Sequence, residues 1–581
     1  MDFRWWDEAH TTLWRIAGRA ELLEVRNKAR QTALETVAPL LTQARTGCGW
    51  TEEKARVLRA LDADGLTGIL ASARGGLTQQ LALAVWELAS VDAGVATCSL
   101  SGSLAQMPIR DFGTEMQRDR YLGRTGLRHG AFCLTEPLPG AGTDAISLSG
   151  RMCLVGANGD GEPLLEIKKR GRFISHMDFA EFVVAAVQGD GIGVRGSALV
   201  ILEPGDAGEF DRGAPVRKLG HHFASTTDPV FRLTVPASHI VGGYAMEEGA
   251  IVPRFSHRIL LEPALRRMRA LLALMTAAKA LSTVQEWFAS KEQKCRDAEL
   301  HLSLADLWAT GEAAASLGFS AARLCDELDR AENPHGGDAR LAALYSSAAK
   351  LFSSSRVPES LRHTGLHGAP AGFDVRARLA DAQVEEMYMG PSALQRRLVS
   401  AAMTSARFLA EFQEWTGEMH AFAERLPRAG LRSLAEGMRL WQWTLERLRQ
   451  QADARGARLY CDARQGVTFA MADALCELLA ARSLAMDVLE MNRYSPGREC
   501  GSIFADLSIL AAGRAASHTA QTCAELLCGY AERFPVSGAE RRAFAELRTK
   551  LCVSLRGTMD ARERIAEFLC AQGRRSGNST V

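Results

Sequence analysis

The spacing of hydrophobic residues predicts a helical region at the start of the chain. Over residues 1–128, apolar side chains recur three and four positions apart, with glycine-containing breaks between the runs. That spacing places the apolar residues on one face of a helix. A clear example is the set Leu77, Leu81, Val85 and Leu88. We therefore predict an N-terminal helical domain over residues 1–128.

A different pattern begins near Ala131. From there to about Gly249, glycine and proline are frequent, and strand-length apolar runs occur at residues 180–187, 198–204 and 229–236. Each run is bounded by Gly, Asp or Pro, as strands commonly are. The last run alternates imperfectly, which is typical of an antiparallel strand with one covered face. Residues 129–248 are therefore predicted to form a small antiparallel, barrel-like β domain.

Helical spacing resumes at Ser256 and continues towards the end of the chain. Glu262-Pro263 is a possible helix start, because proline is tolerated in a first turn. Residues 467–491 are apolar nearly all round, which predicts a buried helix. One apolar stripe is formed by Leu434, Met438, Trp441, Leu445 and Leu448. We predict a four-helix bundle over 249–402 and an additional helical domain over 403–581, giving an α+β protein without β-α-β alternation.

Composition excludes several classes of protein. The 581 residues are 47% hydrophobic and 24% charged, which are ordinary globular values. The net charge of +1 gives no overall field that would attract nucleic acid or anionic lipid. The 13 cysteines include no C-x-x-C pair, which argues against a disulfide framework or a thiolate zinc site. With no membrane-length apolar run and no signal-peptide pattern, we expect a cytoplasmic protein with no membrane partner.

The densest group of unusual residues is AFCLTEPLPGAGTD, residues 131–144. Gly140 and Gly142 would let the backbone approach a flat or anionic ligand closely. Thr135 and Thr143 can offer hydroxyl and backbone N–H groups to such a ligand. A tight hairpin with capped ends would explain the same residues equally well.

A second segment follows about thirty residues later. In KKRGRFISHMDFAEFVVAAV, residues 168–187, the tripeptide Phe173-Ile174-Ser175 stands just before a buried strand. The two segments, in this order and spacing, resemble the flavin-binding segments of the acyl-CoA dehydrogenase family, a TEPxAGSD turn and a W-I-T tripeptide. Residues 223–243 and the run ARLADAQVEEMYMGPSALQRR, residues 377–397, also resemble that family. The resemblance covers about residues 60–402.

The resemblance implies an FAD cofactor and a site to hold it. By that resemblance, Phe132, Leu134 and Thr135 would lie along the isoalloxazine edge, and Gly142 and Thr143 in the turn near the pyrimidine and the substrate carbonyl. Phe173 would replace the usual tryptophan against the ring, beside Ile174. Ser175 would replace the threonine whose hydroxyl reaches toward flavin N5. Residues Leu138-Pro139 are extra relative to the family and could shift the glycine turn.

The family's reaction needs a base, and this sequence lacks it at both known positions. Removal of an α-proton and transfer of a β-hydride to flavin require a base and a flavin on opposite faces of the substrate. The resemblance places Met389 and Leu265 at the two base positions, and neither side chain accepts a proton. His176 could replace the base or be a packing residue. The nearby carboxylates are Glu262, Glu385 and Glu386, for which a solvated or ion-paired position on a helix is the simpler interpretation.

Other motifs of the family are also altered. The chain after Phe288 lacks the family's R-x-x-F-G segment, and Gly365-Leu366-His367-Gly368 lacks the glutamine of Q-x-x-G-G. The resemblance therefore implies changed contacts to the tail of FAD. His363 and His367 are four apart and His221-His222 are adjacent, but no carboxylate follows at ligand spacing, so no metal site is predicted.

The leading hypothesis is an FAD-dependent oxidoreductase of acyl-CoA dehydrogenase type, a specialised variant without the usual glutamate base. Its substrate would be a small-molecule or carrier-bound acyl group, and its acceptor could be an electron-transfer flavoprotein. Residues 403–581 resemble the extra helical domain of the larger family members, which implies a homodimer. The alternatives are a non-catalytic or heteromeric partner subunit on the same scaffold, or a DNA-associated flavoprotein. The C-terminal region has only a mild excess of basic residues, so a nucleic-acid partner is not favoured.

Overall fold

The computed structural model of the protein describes most of the chain. The described residues are 4–44, 52–72, 76–123, 129–137, 148–289, 298–331, 337–365, 375–426, 430–494 and 499–577. They divide into two compact units. The sheet unit consists of Ala20–Leu271 and Tyr388–Pro391, and the bundle unit of Met1–Arg19, Leu272–Met387 and Ser392–Val581. The boundaries of the four predicted domains stay a prediction.

The order of the elements confirms the α+β prediction. The first helices are α1 Arg4–Leu13, α2 Ala20–Gln31, α3 Ala38–Ala44, α4 Glu52–Ala63, α5 Ile69–Ser72, α6 Leu77–Val91, α7 Ala93–Phe112 and α8 Glu115–Leu122, with a π-helical stretch at Thr32–Val37. The strands follow together: β1 Gly130–Cys133, β2 Arg151–Ala157, β3 Pro163–Arg170, β4 Ile174–Ser175, β5 Phe182–Gly189, β6 Ser197–Leu202, β7 Ala207–Asp211, β8 Thr226–Thr227, β9 Val230–Pro236, β10 Tyr244–Glu247 and β11 Ala250–Pro253.

The remaining elements are helices, as the apolar spacing predicts. They are α9 His257–Ala289, α10 Ala298–Arg330, α11 Gly337–Gly365, α12 Val375–Glu385, α13 Ser392–Ala402, α14 Ala406–Arg425, α15 Leu431–Gln450, α16 Gln465–Tyr494, α17 Glu499–Gly529, α18 Gly538–Ser554 and α19 Thr558–Gly577. All five residues of the predicted stripe on α15 are buried. Another residue of this helix, Leu440, packs with buried apolar residues of α17 and α18, and such tertiary packing stabilises helices more than intrinsic propensity does.

The predicted helix start at Glu262-Pro263 is wrong. Helix α9 begins earlier, at His257, and Pro263 lies inside it. Proline there removes the hydrogen bond to the carbonyl of Ile259, a residue that is 47% exposed. Water can bond that carbonyl, and the buried residues on the other face hold the helix together across the proline.

The sheet unit is built around one curled sheet of order β1-β5-β2-β3-β9-β7, with β6 paired to β5. Most neighbouring strands are antiparallel, but β5 runs parallel to both β1 and β2. The predicted antiparallel arrangement is therefore confirmed for most strand pairs of this sheet, with the two parallel pairs of β5 as the exception. The buried face of the sheet forms a continuous apolar core that includes Ala131, Ile167, Val183 and Leu233.

In the bundle unit, helix α1 packs against helices that come much later in the chain. The Trp6 ring stacks on Trp308 at 4.7 Å, and the His10 ring stacks on Trp14 at 4.3 Å. His10 Nε2 lies 3.0 Å from Glu312 Oε1, and Trp308 Nε1 donates to the same carboxylate at 3.0 Å. Aromatic stacking and a buried polar cluster thus fix α1 to α10.

Candidate active site

The fold brings together the two segments that the sequence singles out. The backbone N–H of Arg172 donates to the carbonyl of Thr135 at 2.9 Å, and that of Gly171 donates to Pro229 at 2.8 Å. After this bend, β4 pairs with β8 so that Ser175 lies opposite Thr226. The stretch after β1 and the Phe173-Ile174-Ser175 tripeptide are therefore joined through the backbone.

A buried ion pair supports the first segment. Lys169 Nζ lies 2.5 Å from Glu136 Oε1, and both side chains are almost completely buried. Glu136 also accepts the backbone N–H groups of Ser149 at 2.6 Å and Gly150 at 2.9 Å. Burial alone would raise the pKa of the Glu136 carboxyl, but Lys169 and the two backbone donors lower it. The Glu136 carboxylate is therefore ionised and has a structural role. Its pairing with Lys169 is not predicted from the sequence.

Phe173 presents an aromatic ring to solvent at the bend. The residue is 50% exposed and has a left-handed φ of 56°. Its N–H donates to Asp228 Oδ1 at 2.8 Å, and the Arg172 guanidinium lies 4.7 Å from its ring centroid. Since an exposed phenyl ring gains free energy when it is covered, this ring offers one face to a flat ligand.

The other described residues of the predicted cofactor site are buried or half-buried. The Ser175 hydroxyl is 3.3 Å from the Thr226 hydroxyl and is half-buried. Ile174, in β4, is buried. Leu134 and Thr135 are half-buried where the chain leaves β1. Phe132 is 9% exposed and pairs with Val184 on β5. Gly142 and Thr143 lie outside the described residues.

His176 is buried and lines a small cavity. It is 1% exposed, its ring is 3.8 Å from the ring of Phe179 and 5.7 Å from that of His129. Burial lowers the pKa of His176 well below its usual value, and the charge of His129 lowers it further. The cavity has a volume of about 10 Å³, which is room for about one water molecule. Both histidines line it, together with Ser103 and Gln106. This placement favours a neutral packing histidine over a base that reaches a substrate.

Met389 lies in a strained loop that packs within the sheet unit. Met389 and Gly390 both have left-handed φ, 52° and 89°. The neighbouring Tyr388 ring meets the His221 ring edge-on at 5.3 Å, and His221 Nδ1 lies 2.8 Å from Thr97 Oγ1. His221, which sequence reasoning considered only for metal binding, therefore contacts the loop that carries the expected base position. The two rings are far apart in sequence, so no local pattern could have predicted the contact.

Backbone strain occurs at several of the residues discussed above. Among the described non-glycine residues, those with left-handed φ are Arg15, Phe173, His176, His221, Glu248 and Met389. Each left-handed L-residue costs roughly 1–2 kcal/mol. Such strain persists only where the surrounding contacts impose it, and it is found preferentially at functional sites.

The second expected base position lies on α9. Leu265 is half-buried, and its neighbour Arg266 is buried. Glu262, one turn earlier, is 59% exposed in its side chain, and Arg266 Nη1 donates to it at 3.4 Å. Glu262 is thus a weakly paired surface carboxylate in the sheet unit.

The two carboxylates before Tyr388 differ sharply. Glu385 is fully buried, accepts the Thr276 hydroxyl at 2.6 Å and forms an ion pair with Lys279. Glu386 is exposed and accepts the Ser392 hydroxyl at 3.0 Å. Glu385 is therefore committed to a structural ion pair, and both residues belong to the bundle unit.

The described residues lack two other features that bear on function. Across the described ranges, no group of three or more His, Cys, Asp or Glu side chains could hold a metal ion. Within the same part of the chain, no helix is both long and apolar enough to cross a membrane.

Three comparisons with known proteins agree with the resemblance. Residues 19–126 match the family model of the acyl-CoA dehydrogenase N-terminal domain. The short-chain-specific acyl-CoA dehydrogenase of Megasphaera elsdenii is 32% identical over 338 residues, covering 57% of this chain and 82% of that protein. An acyl-CoA dehydrogenase of Bacillus subtilis is 29% identical, covering 55% of this chain and 80% of the relative.

Solved structures extend the similarity of fold to the C-terminal helices. An acyl-CoA dehydrogenase from Bacillus anthracis, complexed with FAD, superposes with a TM-score of 0.76 at 18% identity and covers 95% of both chains. Butyryl-CoA dehydrogenase from Megasphaera elsdenii gives a TM-score of 0.54 at 25% identity, covering 66% of this chain and 98% of that one. With the sequence match to the Megasphaera enzyme over most of its length, these findings show that the chain belongs to the acyl-CoA dehydrogenase family.

Proposed function

We propose that the chain binds FAD against the sheet unit and acts as an oxidoreductase that removes a hydride from an acyl thioester or a related substrate. The observation that carries this proposal is the hydrogen bond from Arg172 N–H to the Thr135 carbonyl at 2.9 Å. It joins the two segments that the resemblance implies to bind the isoalloxazine. The FAD in the Bacillus anthracis structure supports the choice of cofactor.

The described residues fit a flavin. The half-exposed Phe173 ring can cover one face of a planar tricyclic ring. The Ser175 and Thr226 hydroxyls are 3.3 Å apart, and each has further capacity to donate or accept a hydrogen bond. Thr135 offers a half-buried hydroxyl in the adjacent segment. When bound, FAD supplies the acceptor for the hydride.

The proposed reaction differs from that of the usual family member in its proton acceptor. The thioether of Met389 and the isobutyl group of Leu265 cannot take a proton, and Glu385 is held by Lys279. We propose that the substrate is one whose proton leaves without a strong base, as the N–H proton does when a C–N or N–N bond is oxidised and the hydride passes to the flavin, or that its acyl group is delivered on a carrier. The carbonyl of an acyl substrate would still be activated by hydrogen-bond donors.

The test uses the purified full chain and a restored carboxylate. We expect a flavin absorbance band in the wild type that saturated acyl-CoAs bleach slowly. Met389→Glu should accelerate bleaching by about 10²–10⁴-fold, because a positioned general base contributes about that much. Met389→Gln controls for shape, and Met387→Glu, at a residue that is 64% exposed two positions earlier, controls for added charge.

Two results would contradict the proposal in different ways. A colourless protein that does not take up added FAD removes the cofactor and the reaction together. A bound flavin that no acyl thioester reduces, in the wild type or in Met389→Glu, removes the dehydrogenase reaction and favours the partner-subunit alternative. An electron-transfer flavoprotein as acceptor and a homodimeric state are further expectations, tested by acceptor assays and by light scattering.

A further inference from the structure

The bundle unit contains a second candidate site, which we call the charged cavity. It has a volume of about 720 Å³ between helices α10, α11, α16, α17 and α19. Known small-molecule sites are typically about 300–1,000 Å³. Part of its wall is made of the small side chains Ala309, Ala313, Ala481, Ala511 and Ala515. None of the residues proposed to hold the flavin lines it.

One wall of the charged cavity carries more positive than negative charge. Asp306 receives a bidentate pair from Arg562, with Nε at 2.8 Å and Nη2 at 2.6 Å. The same carboxylate pairs with Arg514 Nη2 at 2.5 Å. Two guanidinium groups thus share one carboxylate. Arg514 uses one nitrogen in this pair, and its side chain is 43% exposed, so its other N–H groups remain able to bind a ligand.

Another wall carries more negative charge. Arg356 pairs with both Glu359, at 2.8 Å, and Glu477. His518 Nδ1 lies 3.0 Å from the same Glu477 carboxylate. Glu477 is only 10% exposed, whereas Glu359 is 46% exposed. Glu359 therefore has an accessible carboxylate oxygen that a ligand's ammonium group could approach.

The mixture of charges decides the class of ligand. The lining holds three arginines, Arg356, Arg514 and Arg562, and four carboxylates, Glu299, Asp306, Glu359 and Glu477. A simple anion would meet the carboxylates, and a simple cation would meet the arginines, each with unfavourable Coulomb energy. A ligand that carries both charges avoids both penalties, and complementary charge is what gives such sites their specificity.

We infer that the charged cavity binds a small zwitterion, a free amino acid that carries one carboxylate and one ammonium group. Arg514 holds the carboxylate, and Glu359 holds the ammonium group. The alanines and Phe352 line the space for the apolar part of the ligand. This site is independent of the flavin site, so it does not depend on the proposed reaction.

The experiment compares matched probes by isothermal titration calorimetry at low ionic strength, because salt screens exposed charges. The full chain is titrated with L-norleucine, 4-aminobutanoate and 6-aminohexanoate, and with hexanoate and hexylamine as single-charge counterparts. We expect at least one of the three zwitterions to bind about tenfold or more tightly than both counterparts. Arg514→Gln and Glu359→Gln should each weaken that binding by about tenfold or more.

A matched variant controls for charge loss alone. Arg564 lies on the same helix as Arg562 and forms a bidentate pair with Asp506 outside the charged cavity. Arg564→Gln should leave the affinity unchanged. Because Arg514 and Glu359 are both nearly half-exposed, their variants are expected to fold, which thermal melting checks.

Three results would overturn the inference. Equal binding of hexanoate or hexylamine would make this a site for a simple ion. Absence of binding by all three zwitterions at millimolar concentration would leave no amino-acid site. Displacement of a bound zwitterion by ADP, with tighter binding of ADP itself, would assign the cavity to a nucleotide. None of these results depends on whether the protein carries flavin.

Discussion

Removal of the Lys169 ammonium group tests how the proposed flavin surface is supported. The substitution is Lys169→Met, which keeps an unbranched side chain in the same buried space. It removes the ion pair with Glu136 at 2.5 Å and the weaker hydrogen bond to the Leu134 carbonyl at 3.3 Å. Among the described residues, the hydrogen-bond donors that Glu136 then keeps are the backbone N–H groups of Ser149 and Gly150.

The expected loss is large because the remaining carboxylate is buried. Breaking a buried ion pair by removal of one partner costs about 3–5 kcal/mol. A pair on the surface contributes about 0–1 kcal/mol. Lys168 supplies the comparison, since it is adjacent, 59% exposed and paired with Glu166 at 2.7 Å. Lys168→Met should therefore cost at most about 1 kcal/mol.

Amide hydrogen exchange of peptides that cover β1 and β3 is the suitable assay, because a chain with two units need not unfold in one step. The pKa of Glu136 is lowered in the folded protein, so its contribution is present above its ordinary pKa and is lost as pH falls through the folded pKa. In Lys169→Met the pKa of Glu136 should rise. The difference between wild type and variant should then shrink as the pH is lowered toward the ordinary carboxyl pKa of about 4.

If Lys169→Met changes local protection no more than Lys168→Met does, the buried pair does not support this segment. A second check is the double variant with Glu136→Gln, which should recover part of the loss because no unpaired charge remains. Retention of FAD should fall in Lys169→Met and should be partly restored in the double variant with Glu136→Gln.

Two further predictions concern neighbouring residues. His176→Leu should make the free energy of unfolding less dependent on pH below about 6.5, because the buried wild-type histidine stays neutral while the same residue in the unfolded chain gains a proton. This proton uptake should lower the unfolding free energy of the wild type, relative to the variant, by about 2 kcal/mol at about pH 5. Parallel curves of unfolding free energy against pH would contradict the prediction. Gly171→Ala should cost about 1–3 kcal/mol, because the new Cβ would lie 2.7 Å from Cys133 Sγ and 2.8 Å from Ile174 Cγ1. Gly159→Ala, where nothing lies near the new Cβ, should leave the melting temperature unchanged. Equal melting temperatures of the two glycine variants would show that packing at the bend is unimportant.

Local sequence patterns are sufficient to predict most of the helices and strands. Strands β5, β6 and β9 lie largely within the apolar runs at 180–187, 198–204 and 229–236, because β-branched residues between Gly and Pro specify a strand locally. Strand β7 contains Glu209 and Asp211, and β10 and β11 are only four residues long, so these three strands give no comparable signal. The start of α9 differs from the predicted one because Pro263 is a strong local signal that tertiary burial overrides.

The candidate site can be predicted only in part, and for a physical reason. The two segments that resemble flavin-binding segments follow each other closely in sequence, so their order and composition carry the resemblance. The Lys169–Glu136 pair depends on how β3 lies beside the end of β1, and Lys168-Lys169 looks from sequence like an ordinary charged strand end. The contact of Tyr388 with His221 likewise depends on tertiary structure alone.

The packing of α1 on α10 has a consequence during synthesis on the ribosome. His10 and Glu312 are 302 residues apart, and elongation at about 5–20 residues per second separates their emergence by roughly 15–60 s. Residues 20–271, which form most of the sheet unit, emerge completely in that interval. The nascent chain must therefore shield Trp6 and Trp14, by a chaperone or by transient contacts, until the partner helix arrives.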